Sequence, residues 1–234
     1  LIASIFFSIF GKLIYGRKNI HKRINLRIPK GFKREEVISL YIPDIVLFIG
    51  LVLNKLHLVS INKVYSTAYF LFGFLSSFRI KQFDAIYIRA GAGSRVIKRA
   101  KKLGKQVIVD YSSAHPNDIY NSLVQSKSKN ALIGFQRRKN LWKMAINDVI
   151  ESDIVVVNSQ YVMNSLIKNG IPKEKIFLNH LPIDVEKIPC KVLYTLTNQI
   201  NIAYSGRFVS WKGCDTLLSV IENLSHTYKN ITLN

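Results

Sequence analysis

The sequence predicts an α/β protein that contains a doubly wound parallel sheet. From residue 84 onward, short apolar segments alternate with longer segments in which apolar residues recur with a helical period. Glycine or a capping residue stands at most of the boundaries between these segments. The resulting order, βαβαβαβ, is typical of an open sheet in which right-handed crossovers join parallel strands.

The first strand-helix-strand unit has the clearest boundaries. Residues 84–89 are predicted to form a buried strand, and residues 105–110 form the next strand. Between them, Ser94 is predicted to cap a helix that Gly104 ends, with Leu103 on its buried face. Lysine and arginine cover the rest of that helix, which is therefore amphipathic.

The later elements follow the same rules. In chain order they are a polar loop at 111–117, mostly helical sequence up to 150, a strand at 154–157, a helix at 159–168 closed by Gly170, and a strand at 176–178. Residues 184–199 are predicted to be a linker. A second α/β domain then begins with a strand at 201–204 and a helix at 214–224. The predicted domains are therefore 1–196 and 197–234.

The charge of the chain is strongly basic. It carries 34 Lys and Arg against 14 Asp and Glu, a formal net charge of +20. The cations concentrate at 12–34, 95–105 and 127–143, where they either form ordinary solvated helix faces or contact an anionic partner. None of the usual nucleic-acid reading motifs is present, so an anionic membrane surface or a phosphate-rich substrate is favoured over nucleic acid.

Cysteine usage and hydropathy further narrow the class of protein to which the chain can belong. Cys190 and Cys214 stand in no zinc-binding spacing, which favours reduced thiols in a cytosolic protein and no metal. Apolar stretches at 1–10, 40–53 and 64–78 each fall short of the ~20 residues that a helical membrane span requires. We therefore expect packed core elements there.

The most informative pattern is the turn in the second domain. The strand at 201–204 runs into Gly206 and Arg207, and Lys212 with Gly213 opens the following helix. Unpaired backbone N–H groups and the positive end of a helix point toward the same place at such a turn, which makes it an anion site. Two cations beside the turn add full charges to these partial ones. The alternative is that both are merely exposed turn residues.

Three segments together resemble one known family. They are GRFVSWKG at 206–213, SDIVVVNS at 152–159 and NGIPKEKI at 169–176. In this order and spacing they resemble the family-four retaining glycosyltransferases (glycosyl transferases group 1), which have the two-domain GT-B fold.

The resemblance implies a function. It implies a hexosyltransferase-like enzyme that moves a sugar from a nucleoside diphosphate sugar to a glycan or lipid-linked acceptor, with retention, in cell-surface polysaccharide biosynthesis. Gly206, Arg207, Lys212 and Gly213 would bind the donor diphosphate without a metal or another cofactor. The enzyme would be cytoplasmic and peripheral at the inner face of the cell membrane.

The resemblance also implies missing parts. The family's second domain carries a late pair of glutamates that hold the donor, and no counterpart occurs before Asn234. We therefore expect a fragment that lacks the start of the first domain and most of the second, and that transfers no sugar by itself.

Further candidate residues follow the predicted strands of the first domain, where ligands bind in open α/β sheets. His115 stands just beyond the second strand, and the resemblance implies a catalytic place near the sugar; a solvent-facing loop position is the alternative. Residues around the ends of the first two strands are predicted to form a cleft or acceptor-side loop: Arg89, Gly91, Gly93, Ser94 and Asp110. The alternative is a purely structural turn.

A different class of function also fits the basic composition. The chain would then be a non-catalytic α/β module that binds nucleic acid or an anionic membrane surface, with a coincidental Arg207 turn. Response to nucleoside diphosphates separates the two classes, because only the enzyme should bind them.

Overall fold

A computed structural model describes residues 37–38, 40–127, 129–183, 185–187, 199–206, 208 and 212–234. The chain separates into two compact units, Leu1–Leu181 and Pro182–Asn234. The apolar stretch at 1–10, the basic cluster at 12–34 and the predicted domain boundary after residue 196 lie outside the described residues.

The first unit is an α/β fold built on a four-stranded parallel sheet, consistent with a Rossmann-like arrangement. In sheet order and chain order, the strands are β1 (Ala85–Arg89), β2 (Gln106–Tyr111), β3 (Ile154–Val157) and β4 (Ile176–Leu178). One row of the sheet runs from Ile88 through Val109 and Val155 to Ile176, and all four side chains are buried. This row forms the centre of the core.

Seven α-helices of the described chain belong to this unit. They are α1 (Tyr41–Lys55), α2 (Ile61–Ser77), α3 (Ser94–Lys102), α4 (Pro116–Gln125), α5 (Lys129–Gln136), α6 (Lys139–Glu151) and α7 (Gln160–Lys168). Helices α3 and α6 pack on β2, and α7 packs on β3 and β4. Helix α2 lies across α3 and α6, and α1 packs on α2, which adds an outer helical layer.

The two faces of the sheet differ sharply in burial. Side chains alternate along each strand, and those that face the helices, such as Val107 and Val157, are fully buried. The opposite face carries Tyr87, which is 61% exposed, and Phe177, which is 56% exposed. The core of the unit therefore lies between the sheet and α3, α6 and α7. Within the described residues the helices cover one face and the strands follow chain order, so the parallel sheet is confirmed but the predicted doubly wound arrangement is not.

Most element boundaries predicted for this unit are confirmed to within two residues. The strands agree, the side chain of Ser159 caps α7, and Gly170 follows that helix with a positive φ. The helical region before residue 150 divides into α4, α5 and α6.

Two predictions about α3 are wrong. Gly93, not Ser94, occupies the N-cap, and no side chain of α3 caps its own first turn. Leu103 lies beyond the last helical residue and is 41% exposed, so it leaves the buried face that its spacing predicted.

The apolar stretches at 40–53 and 64–78 form most of α1 and α2 and contribute buried side chains such as Phe48 and Val64. Among the helices that the structure describes, none has both the length and the apolar character needed to cross a bilayer.

The second unit contains a parallel strand-helix-strand element. Strand β5 (Ile200–Ile202) pairs with β6 (Ile231–Leu233), and α8 (Cys214–Thr227) connects them. The predicted strand and helix are thus present: β5 begins one residue and ends two residues earlier than predicted, and α8 ends three residues later than predicted. A single 3₁₀ turn, Val185–Lys187, is described in the predicted linker.

Candidate functional site

The carboxyl ends of β1 and β2 carry a polar cluster on the exposed face of the sheet. Arg89 and Asp110 are register partners, and their side chains form an ion pair at 3.6 Å. The guanidinium of Arg89 also donates a 3.1 Å hydrogen bond to the hydroxyl of Ser112. The structure therefore brings together two of the predicted cleft residues and adds a hydroxyl that the sequence did not single out.

His115 stands at the N-cap of α4, three residues beyond Ser112. Its Nδ1 accepts a 3.2 Å hydrogen bond from the backbone N–H of Asn117, so the neutral ring carries its proton on Nε2. Burial lowers the pKa of the imidazole, although nearby Asp118 partly opposes this. A neutral ring with an N–H at Nε2 can donate a hydrogen bond to a ligand oxygen.

A second polar network fixes the loop that carries His115. The backbone N–H of His115 donates to Oγ of Ser165 at 2.8 Å, and the Ser165 hydroxyl donates to Asp118 at 2.6 Å. Asp118 also accepts hydrogen bonds from Lys168 and Asn169. The Ser165 hydrogen bond, followed by that from Lys168, lowers the pKa of Asp118 and keeps it ionised. Helix α7 thus holds the start of α4 and the adjacent histidine in place.

The anion-binding position of the glycine loop after β1 is filled by a side chain of the protein itself. Gly91, Ala92 and Gly93 are buried beneath α2 and α6. One carboxylate oxygen of Asp148, on α6, accepts hydrogen bonds from the N–H groups of Gly91 at 2.7 Å and Gly93 at 2.8 Å. The loop therefore does form an anion-binding turn, and the anion that it holds is an internal side chain.

Asp148 is a residue that sequence reasoning missed. It is 1% exposed, and burial raises its pKa to about 6 despite the two backbone hydrogen bonds. Its place in the helical period could have revealed it, because a carboxylate lies on the same helix face as buried Ala145 and next to buried Val149.

Ser94 lines a cavity rather than capping its helix. The cavity has a volume of about 460 Å³ and lies among α2, the start of α3 and α6. Its polar lining is made by Ser66, Thr67, Ser94, Asn140, Lys143 and Asn147, with Phe70 forming an apolar wall. Hydroxyl and amide groups around one aromatic ring suit a hydroxyl-rich ligand.

Asn158 adds a buried polar atom at the carboxyl edge of the sheet, the edge that also carries Arg89 and Asp110. It follows the last residue of β3, and its side-chain oxygen is buried without a hydrogen bond to any described residue. Buried polar groups are almost always paired, so this oxygen marks a polar interior at the carboxyl end of β3.

The predicted diphosphate turn of the second unit is only partly described. Arg207 lies outside the described residues, whereas Lys212 is exposed immediately before Gly213. Gly213 is the N-cap of α8 and has a φ of +77°, a left-handed conformation that favours glycine. No side chain among the described residues caps this helix end, and Gly206 lies exposed in the loop that follows β5. The strand, Gly206, Gly213 and the helix start expected from the sequence are thus described, whereas the part of the turn that carries Arg207 lies outside the described residues.

Neither a protein-family model nor a curated protein matches this sequence. Across the part of the chain that the structure describes, no three His, Cys, Asp or Glu side chains are grouped as metal ligands would be.

Proposed function

We propose that this protein is a retaining glycosyltransferase of GT-B type. It would move a sugar from a nucleoside diphosphate sugar to a glycan or lipid-linked acceptor in cell-surface polysaccharide biosynthesis. It would work in the cytoplasm at the inner face of the membrane, with anionic lipid rather than nucleic acid as its surface partner.

The observation that carries this proposal is the geometry at the start of α8. A parallel strand is followed along the chain by a left-handed Gly213 at a helix N-terminus that no described side chain caps, with exposed Lys212 beside it. Such a turn presents backbone N–H groups and a positive helix end to a bound anion. A diphosphate is the anion that the resemblance of residues 206–213 implies.

Sugar transfer requires fixed positive charges that stabilise the departing group. The acceptor hydroxyl attacks the anomeric carbon, the bond from that carbon to the diphosphate oxygen breaks, and the hydroxyl proton leaves with the diphosphate. Arg207 and Lys212 would stabilise the negative charge on the departing group. Losing one preorganised contact of this kind typically costs ~2.7–4 kcal/mol in the barrier.

The first unit would hold the acceptor. Arg89 and Asp110 at the sheet edge and the hydroxyl- and amide-lined cavity at Ser94 offer the polar contacts that a glycan needs. His115 would donate its Nε2–H to a sugar oxygen, which agrees with the neutral ring that its surroundings favour.

The test is nucleotide binding measured by titration calorimetry with uridine diphosphate and guanosine diphosphate. Arg207→Ala and Lys212→Ala should each weaken binding about tenfold or more, because each removes a charged contact to the diphosphate. Lys229→Ala is the matched control, since Lys229 is an exposed lysine of the same unit next to β6. No binding of any nucleoside diphosphate, or equal losses in all three variants, would refute the proposal.

The competing function is a basic module without catalysis, supported only by the charge of +20. A module that bound nucleic acid would lose affinity steeply as salt rises and would ignore nucleoside diphosphates. The same titrations, repeated with a single-stranded RNA at two salt concentrations, separate the alternatives.

A further inference from the structure

Helix α2 and its C-cap residue Phe78 carry a ladder of three phenylalanine rings on one face. Phe70 and Phe74 stack with ring centroids 6.5 Å apart, and Phe74 meets Phe78 edge to face at 5.1 Å. The two end rings remain 43% and 53% exposed. The ladder is therefore an apolar strip that reaches solvent along the side of the first unit.

Two arginines of α3 lie on this ladder. The guanidinium of Arg95 is 5.2 Å from the ring centre of Phe74, and that of Arg99 is 5.3 Å from the ring centre of Phe78. Cation–π contact holds each guanidinium over a ring and leaves its in-plane N–H groups directed away from the ring. These donors are thus ordered before any ligand arrives.

Lys98 and Lys102 complete a basic groove between α2 and α3. The groove encloses about 620 Å³ and is lined by these two lysines, both arginines, Phe74 and Phe78. None of the four cations forms an ion pair with a described residue. Like charges three and four residues apart on a helix repel, so this side of α3 is stabilised when an anion enters the groove.

We propose that the α2–α3 groove binds the phosphate headgroup of an anionic membrane lipid. The four cations would bind the phosphate, and exposed Phe70 and Phe78 would enter the boundary between headgroups and acyl chains. This inference deepens the membrane part of the proposed function by naming the surface that makes the contact. It involves no sugar nucleotide, so its failure would leave the proposed sugar transfer untouched.

The same contacts disfavour RNA in this groove. Single-stranded nucleic acid is bound through bases that stack on open aromatic faces. Guanidinium groups already lie over the rings of Phe74 and Phe78, whereas the apolar edges of the ladder remain open. A cation–aromatic groove beside an exposed apolar strip matches a phosphate joined to a hydrocarbon chain.

The experiment is sedimentation of the whole chain with vesicles of phosphatidylcholine alone and with 30% phosphatidylglycerol. We expect binding to the anionic vesicles only. Lys98→Gln with Lys102→Gln should reduce the partition coefficient by about fivefold per cation. The matched control is Lys55→Gln with Lys173→Gln, which removes the same charge from exposed positions outside the groove. This control should change the partition coefficient far less.

A charge-retaining pair separates a built site from general attraction. Arg95→Lys with Arg99→Lys leaves the net charge unchanged but removes the planar groups stacked on the rings, and should weaken vesicle binding about tenfold. Far-ultraviolet circular dichroism of each variant checks that the fold is kept.

Each remaining outcome overturns the proposal. Equal losses in the groove and control pairs, or an unchanged charge-retaining pair, would mean that net charge alone attracts the protein. Displacement from vesicles by millimolar glycerol phosphate would mean a site for soluble phosphate. Loss of RNA binding with vesicle binding intact in the groove variants would mean a nucleic-acid surface.

Discussion

The carboxylate of Asp148 accepts a 2.8 Å hydrogen bond from the backbone N–H of Gly93, 55 residues earlier in the chain. The same oxygen also accepts from Gly91, so one side chain of α6 closes the loop that joins β1 to α3. This buried contact fixes Gly93, the N-cap residue of α3, through N–H groups that precede the first turn of the helix. It connects the carboxyl edge of the sheet to α6, the helix that packs on β2.

Removing this carboxylate should destabilise the first unit. Asp148→Ala leaves two buried N–H groups without an acceptor, at ~1–3 kcal/mol each, so we expect a loss of ~2–6 kcal/mol in the free energy of unfolding. Urea denaturation at neutral pH measures it. The exposed neighbour Asn147→Ala serves as control and should stay within ~0.5 kcal/mol of wild type. A loss no larger than the control's would show that the contact contributes nothing.

Asp148 should also make stability depend on pH. Its folded pKa of about 6 lies above its ordinary value near 4, so between these values the folded protein binds the proton that the unfolded chain has released. Its contribution is therefore fully present below pH 4 and falls by ~3 kcal/mol as pH rises through about 6.

The difference in unfolding free energy between wild type and Asp148→Asn, measured from pH 4.5 to 7.5, reports this dependence. Wild type should steadily lose stability relative to Asp148→Asn as pH rises. Parallel pH profiles would contradict the raised pKa.

Asp118 should show the opposite dependence. Its hydrogen bonds from Ser165 and Lys168 lower its pKa, so its stabilising effect is present above its ordinary pKa and disappears as pH falls through the lowered folded value. We expect Asp118→Asn to be less stable than wild type at pH 7 and equal to it in strong acid. Asp84→Asn, at an exposed carboxylate, is the control. A deficit that persists in acid would indicate a packing effect.

Helix α2 should not tolerate a side chain at Gly73. A Cβ there would lie well inside contact distance of the carbonyl oxygen of Ala92, in the loop after β1. We expect Gly73→Ala to cost ~1–3 kcal/mol, because α2 must move away from that loop.

The matched change is Gly134→Ala in the middle of α5, where a Cβ meets nothing within 4 Å. It should instead stabilise the protein by ~0.5–1 kcal/mol, since alanine favours helix. Thermal unfolding of both variants measures the contrast. Stabilisation by both changes would show that α2 and the loop are not tightly packed.

His115 should contribute to stability independently of any catalytic role. Its Nδ1 caps α4, so His115→Ala should cost ~0.5–2 kcal/mol, whereas His115→Asn supplies another capping oxygen and should cost less. If the proposed sugar transfer is correct, His115→Asn should still lower kcat when it is measured in an active form of the enzyme, because the Nε2–H is lost. Full activity in that variant would remove His115 from the catalytic role.

Local sequence features were sufficient to predict β1 to β5, α3, α7 and α8, because burial and periodicity act over a few neighbouring residues. Strand β6 and the division of the helical region before residue 150 into three helices were not predicted. The strand at 154–157, the Ser159 cap and the α8 start were all accessible from the chain by itself. The polar edge of the sheet could be partly predicted from the sequence, since Arg89 and Asp110 each end a predicted strand.

The partners of the glycine loop and of the basic helix depended on the tertiary structure. No local pattern pairs Gly91 with a carboxylate 57 residues later, and none places Arg95 and Arg99 on rings of an earlier helix. The amphipathic period of α3 identifies its polar face, but only the packing of α2 against α3 turns that face into a groove with ordered cations. Contacts between distant segments arise when the elements pack, and this is why they cannot be inferred from either segment alone.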